Sequence, residues 1–113
     1  MAVTPSRARR FSSAIGDEAL RFGDRILIAP ALDKEAGRPM SAYTSFFRAG
    51  ARADLPASYD EIWVVLSGAL RVGAESDAVT VRAGDFVHVP EHAPGVVEAI
   101  EDTTMVCVSA PAH

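Results

Sequence analysis

The sequence predicts an all-β fold built from short strands packed as one sandwich or barrel. From Asp24 onward, segments rich in Val, Ile, Thr, Phe and Tyr recur. Gly, Pro and Asp separate these segments at nearly regular spacing, which is typical of antiparallel strands joined by turns. No segment shows a sustained helical period of apolar residues. We therefore expect eight strands around a single core.

The first four predicted strands contain β-branched, aliphatic and aromatic residues, which favour a pleated and half-buried surface. A Ser67-Gly68 pair separates the third strand from the fourth. This pair is a tight-turn signal because glycine adopts positive φ without steric cost, so these two strands are expected to form a hairpin within one sheet. The four strands are RILIA (25–29), SAYTSFF (41–47), EIWVVL (61–66) and ALRV (69–72).

The last four predicted strands also end at turn residues. AVTVR (78–82) alternates apolar and polar residues and stops at Ala83-Gly84-Asp85. FVHV (86–89) stops at Pro90, which cannot donate to a central ladder. GVVEAI (95–100) and TTMVCVS (103–109) complete the set.

The domain organisation predicted from the sequence is one tail and one domain. Residues 1–13 are interpreted as a flexible basic tail, and residues 14–113 as the β-domain. The stretch 14–23 is compatible with either a helical turn or a short edge strand.

Length and composition limit the classes of function that this chain can have. The 113 residues suffice for one domain, and 49% hydrophobic residues can bury a core. The formal charge of -4 argues against a nucleic-acid partner. No apolar run is long enough to span a bilayer, and no signal-peptide core follows the first arginines. We expect a cytoplasmic protein with no membrane partner.

Two half-motifs occur in the centre of the chain. An acid, six residues and a glycine occupy 61–68, and a glycine, five residues and a proline occupy 84–90. This order resembles the two motifs of the cupin family, over roughly residues 40–109. The resemblance implies a small single-domain cupin, a jelly-roll barrel of two sheets.

A narrower resemblance is to the cupin domain of EutQ-type ethanolamine-utilisation proteins. It is based on YDEI at 59–62, VL-x-G-x-L at 65–70, AGD at 83–85 and Pro90. The resemblance implies ethanolamine catabolism in bacterial microcompartments and the acetate kinase activity assigned to that family. The residues give phosphoryl transfer little support, because no GxxxxGK loop occurs and Lys34 is the only lysine.

The resemblance also implies where a metal-binding cupin would hold its ion. Such cupins use an HxH pair ahead of the acid, the acid itself and a histidine after the second motif. Here the acid is Glu61, and the imidazole positions are occupied by other residues, so we expect no metal cofactor. Those positions are Leu55 and Ala57, or Asp54 and Pro56 in a longer register, and Gly95.

A weakly bound divalent metal remains as an alternative. His92 follows Pro90 in a loop that the fold places at the barrel mouth. Together with Glu61 and either Asp54 or Tyr59, it could form a mixed site. The simpler interpretation makes His92 a solvated loop residue.

Glu61 and Tyr59 are the candidate catalytic residues. The resemblance places Glu61 inside the barrel, and strand alternation puts Tyr59, Trp63 and Val65 on the same side. A carboxylate removed from water among aromatic rings is suited to proton transfer. The structural alternative is a buried acid tied to Tyr43, Tyr59 or Arg48.

The candidate ligand-binding residues are polar or aromatic side chains around the predicted barrel. Arg48 is the best candidate for an anionic ligand because its guanidinium binds carboxylate or phosphate in a bidentate fashion. Cys107 is expected to be an inert buried thiol, and His113 to be disordered. The full ligand-binding set is Arg48, Trp63, His92 and Thr44.

Three functions follow from these residues. The first is a EutQ-like cupin that binds a small polar metabolite, with metal-independent isomerase, dehydratase or cyclase chemistry at Glu61 and Tyr59. The second is a metal-dependent enzyme with Glu61 and His92 as non-standard ligands. The third is a non-catalytic assembly or regulatory module. A homodimer is expected, because cupins commonly pair through the outer sheet and amino-terminal strand.

Overall fold

The computed structural model describes residues 7–113 as two facing antiparallel sheets. Two short 3₁₀ turns, Lys34–Ala36 and Glu75–Asp77, interrupt the strands. Within residues 7–113, no helix is sufficiently long and apolar to cross a membrane. The strands are β1 (Leu20–Phe22), β2 (Ile26–Leu32), β3 (Ser41–Phe47), β4 (Arg52–Asp54), β5 (Asp60–Ser67), β6 (Ala69–Gly73), β7 (Val79–Arg82), β8 (Phe86–Val89), β9 (Val96–Ala99) and β10 (Thr103–Ala110).

The six-stranded sheet has the order β1-β2-β3-β10-β5-β8, and the four-stranded sheet has the order β4-β9-β6-β7. This arrangement confirms the predicted all-β jelly roll. β10 lies at the centre of the larger sheet, where Cys107 is opposite Tyr43 on β3 and Trp63 on β5. β3 and β5 flank β10 in the sheet, so residues that are distant in sequence come together on one inner face.

All eight predicted strands are present, with ends shifted by a few residues. Two further strands were not predicted as such. β1 lies inside the ambiguous stretch 14–23, and β4 has only three residues, of which one is apolar. Residues 7–19 form no strand or helix. The first six residues of the predicted tail lie outside the described part of the chain.

The predicted hairpin at Gly68 is wrong. β5 and β6 belong to different sheets, so the turn carries the chain from one sheet to the other. Gly68 has φ +90, and an added Cβ would lie 2.2 Å from the carbonyl oxygen of Asp102. Glycine is required at this corner because φ is positive and a Cβ would overlap the neighbouring backbone at Asp102.

The core lies between the sheets and is made largely of alternating strand residues. In β5, Glu61, Trp63 and Val65 are buried, and the intervening residues are more exposed. The predicted shared face of β5 is therefore present. This alternation carries one carboxylate into an otherwise apolar interior.

Candidate functional site

A cavity of about 170 Å³ lies between the sheets and reaches Glu61. Its wall combines side chains from the larger sheet with the chain segment that joins β4 to β5. The interior is therefore not completely filled by side chains. The lining residues are Ile28, Tyr43, Ser45, Phe47, Ala53, Asp54, Leu55, Pro56, Ala57, Tyr59, Glu61, Trp63, Val97, Met105 and Cys107.

Glu61 is 7% exposed and is held by one neighbour. The hydroxyl of Tyr43 donates a hydrogen bond to Glu61 Oε1. Burial, and then the nearby Cys107 and Glu61, raise the pKa of Tyr43 well above its ordinary value. Tyr43 therefore remains a hydroxyl donor at all physiological pH values, and it fixes one side of the carboxylate.

Tyr59 lies immediately before β5 and also lines the cavity. Burial, and then the Glu61 charge, raise its pKa. Its ring stacks on the imidazole of His113, with centroids 3.9 Å apart and planes 7° apart. Tyr43 is therefore the tyrosine that is hydrogen-bonded to Glu61, and Tyr59 lines the cavity beside it.

His113 was expected to be disordered, and this expectation is wrong. Its backbone N–H donates to Ser41 Oγ at 2.9 Å, and Ser41 Oγ donates to the His113 carbonyl oxygen at 3.1 Å. Its Nε2 is 2.7 Å from Ser109 Oγ. The imidazole also meets Tyr43 edge-on, with centroids 6.0 Å apart. These contacts fix His113 because β3 and β10 present two serine hydroxyls side by side.

His113, Tyr43 and Tyr59 also line a second, outer groove of about 490 Å³. Apolar residues of β1 and β2 form much of its other wall, including Leu20, Phe22 and Ile28. Because both tyrosines line the cavity as well, they separate the outer groove from the interior around Glu61.

Trp63 and Cys107 form part of the cavity wall beyond Glu61. Trp63 is 6% exposed, and its buried Nε1–H has no acceptor among the residues described. An unpaired buried donor is costly. Burial raises the pKa of the Cys107 thiol to about 12. Its sulfur lies 3.7 Å from Ser45 Oγ, so it is a neutral packing group, as its sequence context predicted.

The structure brings together three of the six predicted site residues: Glu61, Tyr59 and Trp63 line the cavity. The other three do not line it. Arg48 is exposed in the turn after β3. Thr44 alternates with Tyr43 and Ser45, and it borders a different groove beside Phe11.

His92 is likewise outside the cavity. Its side chain is 72% exposed and lies 3.8 Å from Glu91. Its backbone has φ 61, and its N–H donates to the Ala57 carbonyl oxygen. The loop is therefore held through its backbone while the imidazole faces solvent.

Sequence reasoning named Tyr43 only as one of three structural partners for Glu61, and it did not place Ser45 in the site. Both have the same strand parity as the buried Phe47, which was a usable signal for an inward orientation. Their position opposite Cys107 and near Glu61 depends on β10 inserting between β3 and β5. That pairing is not readable from the spacing of the segments.

The side chains present do not fit a cupin metal centre. In residues 7–113, no three His, Cys, Asp or Glu side chains are grouped closely enough to hold a metal ion. Gly95 occupies the position that the resemblance assigns to the last histidine, and it has φ +107. A Cβ there would lie 2.2 Å from the carbonyl carbon of Gly73. This packing leaves no room for an imidazole.

Comparisons with solved structures agree with the architecture. The EutQ protein of Salmonella typhimurium LT2 is 24% identical with a TM-score of 0.71, covering 78% of this chain and 71% of that one. Ectoine synthase from P. lautus has 16% identity, a TM-score of 0.79 and coverage of 93% and 78%. KdgF from Halomonas sp. has 21% identity, a TM-score of 0.72 and coverage of 85% and 89%. At these identities the likeness extends to the fold alone.

The sequence profile of the EutQ-like cupin domain matches residues 35–105. No curated protein sequence matches this chain. The matched range covers more than half of the chain, from the first 3₁₀ turn into β10, and includes both half-motifs, Tyr43 and Glu61. This protein is therefore a member of the EutQ-like cupin domain family.

Proposed function

We propose that this cupin binds a small polar metabolite in the cavity between its sheets. The observation that carries the proposal is the cavity that reaches the buried carboxylate of Glu61. Only one oxygen of that carboxylate has a protein donor among the described residues. A carboxylate at the end of an apolar cavity is the type of polar group that orients a ligand in a small-molecule site.

The size of the cavity limits the ligand. About 170 Å³ corresponds to roughly six water molecules at about 30 Å³ each. This space suits a metabolite of about six to eight non-hydrogen atoms. Nucleotides and oligosaccharides would have to extend into solvent or into the outer groove.

We further propose that Glu61 exchanges a proton with the bound metabolite, without a metal. Tyr43 holds Oε1, which leaves Oε2 to accept or return the proton. Such a step is compatible with an isomerase, dehydratase or cyclase. Tyr59 bounds the site and excludes water on the side of His113.

A thermal-shift screen of small polar metabolites tests the binding proposal. A ligand at a hundredfold excess over its Kd adds about 2.7 kcal/mol of stability, and this raises the Tm of a domain of this size by on the order of 10 °C. The test variant is Glu61→Gln, which keeps the side-chain shape. The matched control is Glu101→Gln, because Glu101 is an exposed acid outside the cavity.

We expect at least one metabolite class to stabilise the wild type and Glu101→Gln, and to stabilise Glu61→Gln far less. A ligand that stabilises all three proteins equally binds elsewhere and contradicts the proposal. For any ligand found, turnover measured by NMR of the wild type and of Glu61→Gln tests proton transfer. Unchanged turnover in Glu61→Gln would remove Glu61 from the chemistry.

A further inference from the structure

The cavity around Glu61 has two acids in a largely apolar and aromatic wall, and the described residues that line it include no basic side chain. Among the described residues that line it, Glu61 and Asp54 are carboxylic acids, and there is no Lys, Arg or His. Arg48, the expected partner for an anionic ligand, lies outside. The wall therefore presents negative charge to whatever enters.

Glu61 pairs with no cationic side chain in any ion pair resolved between the described residues. Those ion pairs include Arg52 with Glu98, His88 with Asp60 and His92 with Glu91. Buried carboxylates are ordinarily paired, because removing a charge from water is costly. An anionic ligand would worsen this imbalance, whereas a cation would relieve it.

The rings around the carboxylate point to the same ligand charge. Tyr43, Tyr59 and Trp63 all line the cavity with Glu61. The negative face of an aromatic ring attracts ammonium groups, most strongly where water is excluded. Rings clustered with a carboxylate are the usual arrangement for binding a small organic cation.

Trp63 contributes its ring, and not its N–H, to the cavity. The indole N–H of Trp63 is buried and has no acceptor in the described part of the chain. Trp63 is 6% exposed and borders the cavity. The indole nitrogen has almost no accessible surface, so a ligand in the cavity meets the ring of Trp63 and not its N–H.

We infer that the cavity selects a small alkylammonium compound. The inference rests on the proposed binding function and adds the charge and chemical class of the ligand. The ammonium group lies against Glu61 and the aromatic rings. Small carboxylates, sulfonates and phosphates are excluded by the charge of the wall.

Three isosteric probes test this selectivity. Choline is the cation, 3,3-dimethylbutan-1-ol is its uncharged counterpart, and 3,3-dimethylbutanoate is the anion. Trp63 is the only tryptophan in the chain, so its fluorescence reports binding beside Glu61 directly. Titrations at constant ionic strength, repeated by calorimetry, give the three affinities for the wild-type protein.

We expect choline to bind at least about tenfold more tightly than the alcohol, and the anion to give no saturable signal. Glu61→Gln should lose at least about tenfold in choline affinity and leave the alcohol nearly unchanged. Glu101→Gln should bind like the wild type. Because the comparison of the three probes uses wild-type protein, it does not depend on the folding of any variant.

Two results would overturn the inference. Equal or tighter binding of the alcohol or the anion, reported by Trp63, would remove the selectivity for cations while retaining a ligand site in the cavity. No Trp63 response to any of the three probes would remove the inferred ligand class. The metabolite screen with Glu61→Gln then decides separately whether the cavity binds another ligand.

Discussion

The hydrogen bond between Tyr43 and Glu61 yields the sharpest stability prediction. Tyr43→Phe removes the hydroxyl and keeps the ring, so the packing of β3 against β10 is unchanged. The deleted bond is made to a charged group, and its acceptor is 7% exposed. Water cannot easily replace the lost donor at that depth, so a buried oxygen is left without its partner.

The expected cost is about 2 kcal/mol, since hydrogen bonds to charged groups contribute about 1.5–3 kcal/mol. Urea denaturation monitored by Trp63 fluorescence measures it, and the slope with denaturant should stay constant. The matched control is Tyr59→Phe. The Tyr59 hydroxyl has no hydrogen-bond partner in the described residues, and the ring that stacks on His113 is kept.

We expect Tyr59→Phe to change stability by less than about 0.5 kcal/mol. A double variant, Tyr43→Phe with Glu61→Gln, should cost clearly less than the two single changes added together, because both remove the same bond. If Tyr43→Phe is as mild as Tyr59→Phe, or if the two effects are additive, Tyr43 does not hold Glu61 and the site geometry is wrong.

Three other changes have definite expected outcomes. Burial raises the pKa of Cys107 from 9.0 to about 12, so the folded state keeps a proton that the unfolded chain loses. The contribution is complete below pH 9 and falls by on the order of 1 kcal/mol by pH 10. Urea titrations from pH 8 to 10 should show a clearly larger loss in the wild type than in Cys107→Ala, where only the raised pKa values of Tyr43 and Tyr59 still contribute, and equal slopes would contradict the burial. Gly95→Ala should be severely destabilised or fail to fold, because its Cβ would overlap Gly73. The control Gly84→Ala has φ +93 and open space around the new Cβ, so it should lose only the cost of backbone strain. Similar melting temperatures for the two variants would refute the packing at Gly95. His113→Ala should lower the free energy of unfolding by on the order of 1 kcal/mol, because the ring stacking on Tyr59 and the Ser109 contact are lost. The control His92→Asn should lose a negligible amount, since asparagine tolerates the left-handed backbone at that position. Equal urea midpoints for the two variants would show that His113 is not docked.

The sequence predicted the strands well because segments rich in β-branched and aromatic residues lie between turn residues, and β5, β9 and β10 also alternate in burial along their length. The sequence could not predict that Gly68 joins two sheets. A tight hairpin and a turn between two sheets both use glycine, and they differ only in which part of the chain packs against the turn. In this chain Asp102 and Thr103 lie opposite Gly68. β4 was missed because three residues carry too little pattern.

The candidate site was predicted in part for a similar reason. Glu61, Tyr59 and Trp63 are close in sequence and follow local alternation, so their shared location was readable. The partner of Glu61 was left open among Tyr43, Tyr59 and Arg48, because Tyr43 reaches it across β10 from a strand eighteen residues earlier. Arg48 was selected for its charge, but it is exposed in the turn at the end of β3, where the alternation of the strand no longer constrains its direction.

A crystal structure of the protein grown with the most stabilising metabolite tests the central claim most directly. The account predicts density for that molecule between the sheets, with a polar atom within hydrogen-bond distance of the Glu61 carboxylate and Tyr43 still bound to the other oxygen. Density confined to the outer groove or the protein surface, with the interior closed by side chains, would contradict it.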